Sequence, residues 1–456
     1  MSRLQKYLCT AVTIVALIQS GIVDAKTSKP IINARTISVN AGLATPVMQA
    51  NSEGTAFLRV ALTGFELDSG IQRPPLNVAL VLDQSSSMSG DKIQRAKEAA
   101  IMAVSKLSAN DIVSIVTYDT RVRVLVPATK VIDKSRLYDA IQSIQANGST
   151  ALFAGTSVGA NQVSTYLSQE RVNRVVLLSD GMANVGPDSP KELGDLGRAL
   201  AKKGMSVSTI GLGLGYNEDL MTQLANYSDG NHDFVKNSAD LARVFDREFG
   251  DAMSVVAQDV DIEIICDEGV TPIRVVGRDG TIIGQRVTTR FNQLYSAQQN
   301  YVILEVRVPA SKNASERQVA EVNVSYNNMA TQRKETKSDL VAVQFSDNSQ
   351  KVKGAIDKVA YESAVEQIAN IQTQKALVLR DQGKVEEAKE VLVSNAGYLD
   401  RASTLISSSK LGRQSAESEA EAEVVDKDAE WNESRKSIKA KTYKRSKQQE
   451  RKDQPY

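Results

Sequence analysis

Asn77-Val78-Ala79-Leu80-Val81-Leu82-Asp83-Gln84-Ser85-Ser86-Ser87-Met88 is the stretch that decides the fold, because an uninterrupted apolar run ends abruptly in a carboxylate followed by alternating hydroxyls. A strand apolar on both faces belongs inside a covered parallel sheet, and ligands bind just beyond the carboxyl ends of such strands. Asp83, Ser85 and Ser87 fall at that place. Hard dications take oxygen ligands, and Mg²⁺ keeps several waters, so one or two carboxylates with neutral hydroxyls suit it better than a cage of acids. The spacing therefore points to Mg²⁺, with Mn²⁺ or Ca²⁺ as alternatives.

Two later segments extend the pattern. Val175-Val176-Leu177-Leu178-Ser179-Asp180-Gly181 is a second short apolar strand closed by Asp-Gly, which predicts Asp180 on the same rim as Asp83. Between them, Asn147-Gly148-Ser149-Thr150 offers a hydroxyl where a helix opens. An isolated DxSxS also serves as a helix cap, since Asp and Ser favour that position, so the reading rests on the later Thr and Asp in the right order. In that order the residues resemble the von Willebrand factor A domain and its metal-ion-dependent adhesion site. The resemblance implies Ser85, Ser87 and Thr150 as hydroxyl ligands, with Asp83 and Asp180 acting directly or through water. Gln84 and Ser86 stand where that family often has other small residues, and neither is expected to touch the metal. A dication offsets the repulsion of two converging carboxylates and keeps affinity for an anion, so an Asp or Glu of a partner protein would complete its coordination.

The surrounding rhythm predicts an α/β doubly wound, Rossmann-like domain over residues 75–253. Helical stripes are expected at 91–107, 133–145, 152–167, 190–203, 217–225 and 239–249, and strands at 112–117 and 122–126 around a tight Asp119-Thr120 turn, at 205–212 and at 234–235. Such alternation implies parallel pairing with helices on both faces. The resemblance covers under half of the chain. Residues 26–74, with an alternating strand at 55–67, and residues 254–347, with strands at sandwich spacing, flank the domain. They are read either as one β-sandwich into which the domain is inserted, which is favoured, or as separate β units. That layout resembles secreted bacterial A-domain proteins distantly like the heavy chains of inter-alpha-trypsin inhibitor, with no short motif to carry it.

At 456 residues with 42% hydrophobic content, the chain has room for two or three domains. Its net charge of +1 argues against nucleic acid as a partner. Arg3 and Lys6 precede an apolar run at 8–18, and Val23-Asp24-Ala25 resembles a peptidase site, so residues 1–25 are expected to be a signal peptide; an uncleaved anchor is the alternative. Removal of Cys9 with that peptide leaves Cys266 as the sole thiol, which excludes an intramolecular disulfide and fits a bacterial periplasm or cell surface. No later segment is apolar enough to span a bilayer.

Residues 353–410 are expected to form a helical hairpin turning at Gly383, similar to a single tetratricopeptide unit. Residues 411–456 are acidic and then basic, with the lone Trp431 among them, and such blocks are expected to be disordered and solvated. Gly211-Leu212-Gly213-Leu214-Gly215 lacks the third glycine of a dinucleotide loop and the Lys-Ser/Thr of a P-loop. His232 is the single histidine, so a paired-His zinc site cannot form, no GxSxG elbow supports a triad, and the residue is read as an ordinary polar side chain near a strand end. Asn313-Ala314-Ser315 and Asn323-Val324-Ser325 are glycosylation sequons where that pathway exists. Two functions follow: an exported, non-enzymatic protein that captures an acidic side chain through metal, or a structural or assembly component of the envelope whose contacts are made by the hairpin and tail.

Overall fold

The computed structural model describes residues 35–67 and 73–450; the expected signal peptide and the last six residues lie outside them. In chain order the strands β1 (Ser38–Leu43), β2 (Val47–Gln49) and β3 (Gly54–Thr63) precede the A-domain-like block. That block comprises β4 (Leu76–Asp83), α1 (Asp91–Ser105), β5 (Ile112–Tyr118), β6 (Val122–Lys130), α2 (Lys134–Gln142), α3 (Leu152–Ser164), β7 (Val172–Ser179), α4 (Pro190–Ala201), β8 (Met205–Leu212), α5 (Glu218–Tyr227), β9 (His232–Val235) and α6 (Leu241–Met253). Its sheet runs β6-β5-β4-β7-β8-β9. Neighbours from β5 to β9 are parallel, whereas β6 is antiparallel to β5. The antiparallel edge follows from the tight turn expected at Asp119-Thr120, which is a hairpin connection, since a parallel crossover needs a dozen residues or more.

Every residue of β4, β7 and β8 is buried, as strands covered by helices on both faces require. One core lies under α1, α2 and α6, with Leu80, Val104, Ile115 and Phe245; the other lies under α3, α4 and α5, with Val81, Leu177, Leu193 and Leu220. Asp111 pins the entry to the block. Its carboxylate accepts the Arg73 guanidinium at 2.9 and 2.6 Å and the Leu76 backbone N–H at 2.7 Å.

Beyond α6 come β10 (Val255–Cys266), β11 (Thr271–Val276), β12 (Thr281–Ile283), β13 (Arg286–Tyr295), β14 (Gln299–Val308), β15 (Glu316–Asn328) and β16 (Arg333–Ser346). They form two sheets, β1-β3-β14-β11 and β12-β13-β10-β15-β16-β2. The strands before the α/β block thus complete both sheets of the sandwich after it, β3 lying antiparallel to β14 from Thr63↔Gln299 to Gly54↔Val308. The α/β domain is an insertion in a β-sandwich whose core holds Leu58, Val260, Phe291, Leu304 and Phe345. Arg174, on β7 and 1% exposed, joins the two: it donates to Glu248 of α6 at 2.7 Å, to Tyr295 of β13 at 2.9 Å, and to Gln293.

The C-terminal region departs from expectation. After α7 (Ser349–Gly354), the pair α8 (Lys358–Asp381) and α9 (Val385–Ile406) turns at Gly383, but helix continues as α10 (Ser409–Val424) and α11 (Asp428–Ser446), ending in a short β17 (Gln449–Glu450) that adds to β14. Described residues after 410 are therefore helical, not a disordered tail. The acidic and basic blocks cancel across helices instead of repelling along one. Glu417 of α10 pairs with Arg445 at 2.5 Å and Lys441 at 3.7 Å of α11. Leu411, Ala422 and Val425 enter apolar clusters with α8 and α9. Trp431 packs on the second of these, with the Arg380 guanidinium 5.3 Å from its ring, so it belongs to that small core.

Breaking a buried ion pair on one side strands the other charge, at about 3–5 kcal/mol. Arg174→Met and Glu248→Met are each expected to destabilise the metal-free chain by about this much in urea denaturation. The double variant should cost less than the sum, and strict additivity would show that the pair is not coupled.

Candidate metal centre

β4 and β7 are hydrogen-bonded neighbours in parallel register, Leu82 opposite Leu178, so Asp83 and Asp180 leave the sheet at one carboxyl edge. This is the switch point, since the chain passes from β4 to β5 on one side and later to β7 on the other. Asp83 Oδ1 accepts the Ser85 N–H at 2.8 Å and Oδ2 accepts the Ser179 hydroxyl at 2.8 Å. Ser85 Oγ and Ser87 Oγ lie 2.9 Å apart, and Ser87 Oγ donates to Asp180 Oδ1 at 2.6 Å. A continuous polar chain thus links Asp83, Ser85, Ser87 and Asp180.

Thr150 closes the cradle. A Cβ added at Gly181 would meet Thr150 Oγ1 at 3.0 Å and Ser87 Oγ at 3.4 Å, so glycine lets both hydroxyls crowd the Asp180 loop. Asp83, Ser85, Thr150 and Asp180 are buried, and Ser87 faces solvent. Among the described residues no three His, Cys, Asp or Glu side chains converge on one point; this site mixes two carboxylates with hydroxyls. That donor set fits a hard dication that retains water, with Asp83, Ser85, Ser87, Thr150 and Asp180 as the residues to hold it.

Residues outside this set hold the loops together. Gln84 Nε2 donates to Asp119 Oδ2 at 2.6 Å, while its carbonyl accepts the Asn147 N–H at 2.6 Å. The Ser86 N–H donates to Gly148 O at 3.0 Å. Asn184 ties the third loop: its Oδ1 accepts the Thr150 N–H at 2.8 Å and its own N–H donates to Thr150 O at 3.2 Å. The glycine run after β8 has a packing reason, for a Cβ at Gly215 would stand 2.9 Å from the Asp180 carbonyl. His232 is buried against Thr209 and Tyr216, and burial pushes its imidazole down to about 4, so it is a neutral core residue at pH 7.

Lys92, which sequence reading missed, places its ammonium 2.5 Å from Asp180 Oδ2 and 3.3 Å from the Ser87 carbonyl. It lies in the first turn of α1, where a lysine reads as a solvated face, and only the fold turns it onto Asp180. Burial pushes Asp83 up from 3.8 to about 6; the Ser85 and Ser179 hydrogen bonds oppose this and the Asp180 charge adds to it. The cradle thus concentrates negative charge that water cannot solvate.

The profile of the von Willebrand factor type A domain matches residues 77–247, the segment that carries every residue of the cradle. Residues 77–247 are a von Willebrand factor type A domain. The uncharacterized protein YfbK of Escherichia coli is 30% identical over 207 residues, 45% of this chain and 36% of that protein. The human inter-alpha-trypsin inhibitor heavy chain H4 is 30% identical over 166 residues, 34% of this chain and 18% of that protein. The chain thus spans less than half the length of these relatives. The fold extends beyond the A domain in the von Willebrand factor type A protein from Catenulispora acidiphila (TM-score 0.62, 16% identity, 81% of this chain and 88% of that one). It does so too in the ArnB paralog VWA2 from Sulfolobus acidocaldarius (TM-score 0.59, 16% identity, 90% and 99%).

The raised Asp83 value gives a signed pH dependence. Because the A domain holds the protonated carboxyl more tightly than the unfolded chain does, this contribution to stability is full below about pH 4 and is lost as pH rises through about 6, by up to about 3 kcal/mol. In EDTA, the stability of the wild type relative to Asp83→Ala is expected to fall from pH 4 to pH 7, measured by urea unfolding; a flat difference contradicts it. Lys92→Met removes one charge-assisted hydrogen bond that a cation must displace, so Mg²⁺ affinity measured by calorimetry is expected to rise about tenfold.

Proposed function

We propose that the chain is an exported, non-enzymatic binding protein that captures an Asp or Glu side chain of a partner protein through a divalent cation held by Asp83, Ser85, Ser87, Thr150 and Asp180. The observation that carries this reading is the hydrogen-bonded chain from Asp83 through Ser85 and Ser87 to Asp180, buried at its acidic ends and open to solvent at Ser87. Mg²⁺ suits the hydroxyl-rich set best, with Mn²⁺ and Ca²⁺ as alternatives. When bound, the cation supplies attraction for an incoming oxyanion. The protein's own groups fix the geometry: Ser179 and the Ser85 N–H orient Asp83, Gln84 and Asn184 hold the loops, and Ser87 marks the open side.

A binding role is favoured over catalysis because the single histidine, His232, is neutral and buried against Thr209 and Tyr216, so it does not serve a cradle hydroxyl as an imidazole base. No helix among the described residues is long and apolar enough to cross a membrane. Export rests on the amino-terminal pattern at residues 1–25. In the alternative reading, an envelope assembly component, the C-terminal helices make the contacts. Against it, Arg435, Lys439 and Lys447 of the basic segment are already paired with Asp219 and Asp229 of the A domain.

Capture of a partner from envelope extract by the immobilised full chain is expected to require Mg²⁺ and to disappear in EDTA and in Asp83→Ala, while circular dichroism shows the fold retained. Capture that persists undiminished in chelator refutes the metal reading and favours the assembly role.

A further inference from the structure

A cavity of about 680 Å³ lies where the A domain, the sandwich and the C-terminal helices meet, and none of the metal cradle lines it. Its volume falls in the range of small-molecule sites. The charged residues lining it are Arg198, Arg278, Arg290, Lys439 and Lys447 against Asp229 and Asp279. Three of the cations have acidic partners outside the cavity: Arg198 pairs with Asp195, Arg290 with Asp259 and Lys439 with Asp219.

The inner group, Arg278 and Lys447 with Asp229 and Asp279, leaves hydrogen-bonding capacity unmet. Asp229 accepts Lys447 and, at 2.6 Å, the Asn292 N–H, and its charge and that of Asp279 favour the Arg278 guanidinium against its burial. The Arg278 guanidinium lies 3.9 Å from the centroid of the Phe291 ring and donates to the Arg290 carbonyl at 2.8 Å, while its buried Nε has no hydrogen-bond partner among the described residues. Burial pushes both Arg278 and Lys447 below their ordinary values, outweighing the carboxylates beside them. Ile371, Leu377 and Val378 of α8 supply apolar lining.

We propose that this cavity binds a small ligand through an oxyanion, a phosphate or carboxylate group seated on Arg278 and Lys447, with any carbon skeleton against Ile371, Leu377 and Val378. Such a ligand touches all three parts of the molecule, so its occupancy tightens their junction. The site is independent of the metal reading.

The test uses the full chain in EDTA, so that no cation at the A-domain cradle can take up the probe. Inorganic phosphate and hexyl phosphate are titrated by calorimetry, and melting is followed with each, because a ligand that binds only the folded state raises the melting temperature. Saturable binding is expected, weakened about tenfold or more in Arg278→Gln, the scale of one charge-assisted hydrogen bond. Tighter binding of hexyl phosphate assigns the ligand to an amphiphilic organic anion, and equal binding assigns it to the bare oxyanion. Val378→Trp keeps every charge and narrows the cavity from a half-exposed helix position; it should weaken hexyl phosphate most, and it decides the matter if Arg278→Gln fails to fold. No binding of either probe at millimolar concentration, undiminished binding of both probes to folded Arg278→Gln, or, where that variant does not fold, hexyl phosphate binding equally to wild type and Val378→Trp, overturns the proposal.

Discussion

Two carboxylates that the sheet register brings together set the terms for the A domain. Asp83 and Asp180 end adjacent parallel strands, so β4 and β7 cannot pair without driving both acids into a buried rim. The chain answers with neutral hydroxyls between them and a lysine outside. Ser85 and Ser87 bridge the gap, and the Lys92 ammonium sits on the far oxygen of Asp180. Residual negative charge at a solvent-open edge is the electrostatic setting that suits a dication.

The same logic of buried charge holds the larger assembly together. Arg174 passes from the A-domain sheet to the sandwich and is met by Glu248, Gln293 and Tyr295. On the other side, α11 lays Arg435 and Lys436 on Glu218, and Lys436 Nζ also reaches the Tyr216 carbonyl at 2.8 Å. Tyr216 follows Gly215, whose backbone presses on the Asp180 loop. The C-terminal helix is therefore packed against the segment that backs the metal cradle, which gives the tail a structural part in the domain it follows.

Much of the cradle was legible because it is local. Apolar strands ending in Asp, and hydroxyls at alternate positions after Asp83, declare where each candidate ligand leaves its element, and Asp180 follows at the end of the adjacent strand. Lys92, Gln84 and Asn184 were not legible, since a lysine, a glutamine and an asparagine in loops or first turns look the same whether they face water or a neighbouring loop. The tail was misread for a related reason. Blocks of like charge repel along one helix, and nothing in the linear order states that Glu417 will lie beside Arg445 or that Arg435 will find Asp219 and Asp381.

By itself, the sequence determined the period of the elements, the α/β class of the inserted domain and the identity of its candidate ligands, because periodicity and strand-end chemistry depend on neighbours a few positions away. Only the tertiary structure decided that the first strands complete the sandwich across the insertion and that the charged tail folds. Those outcomes depend on which distant groups become neighbours, and the energy of an ion pair or a packed face exists only once they do.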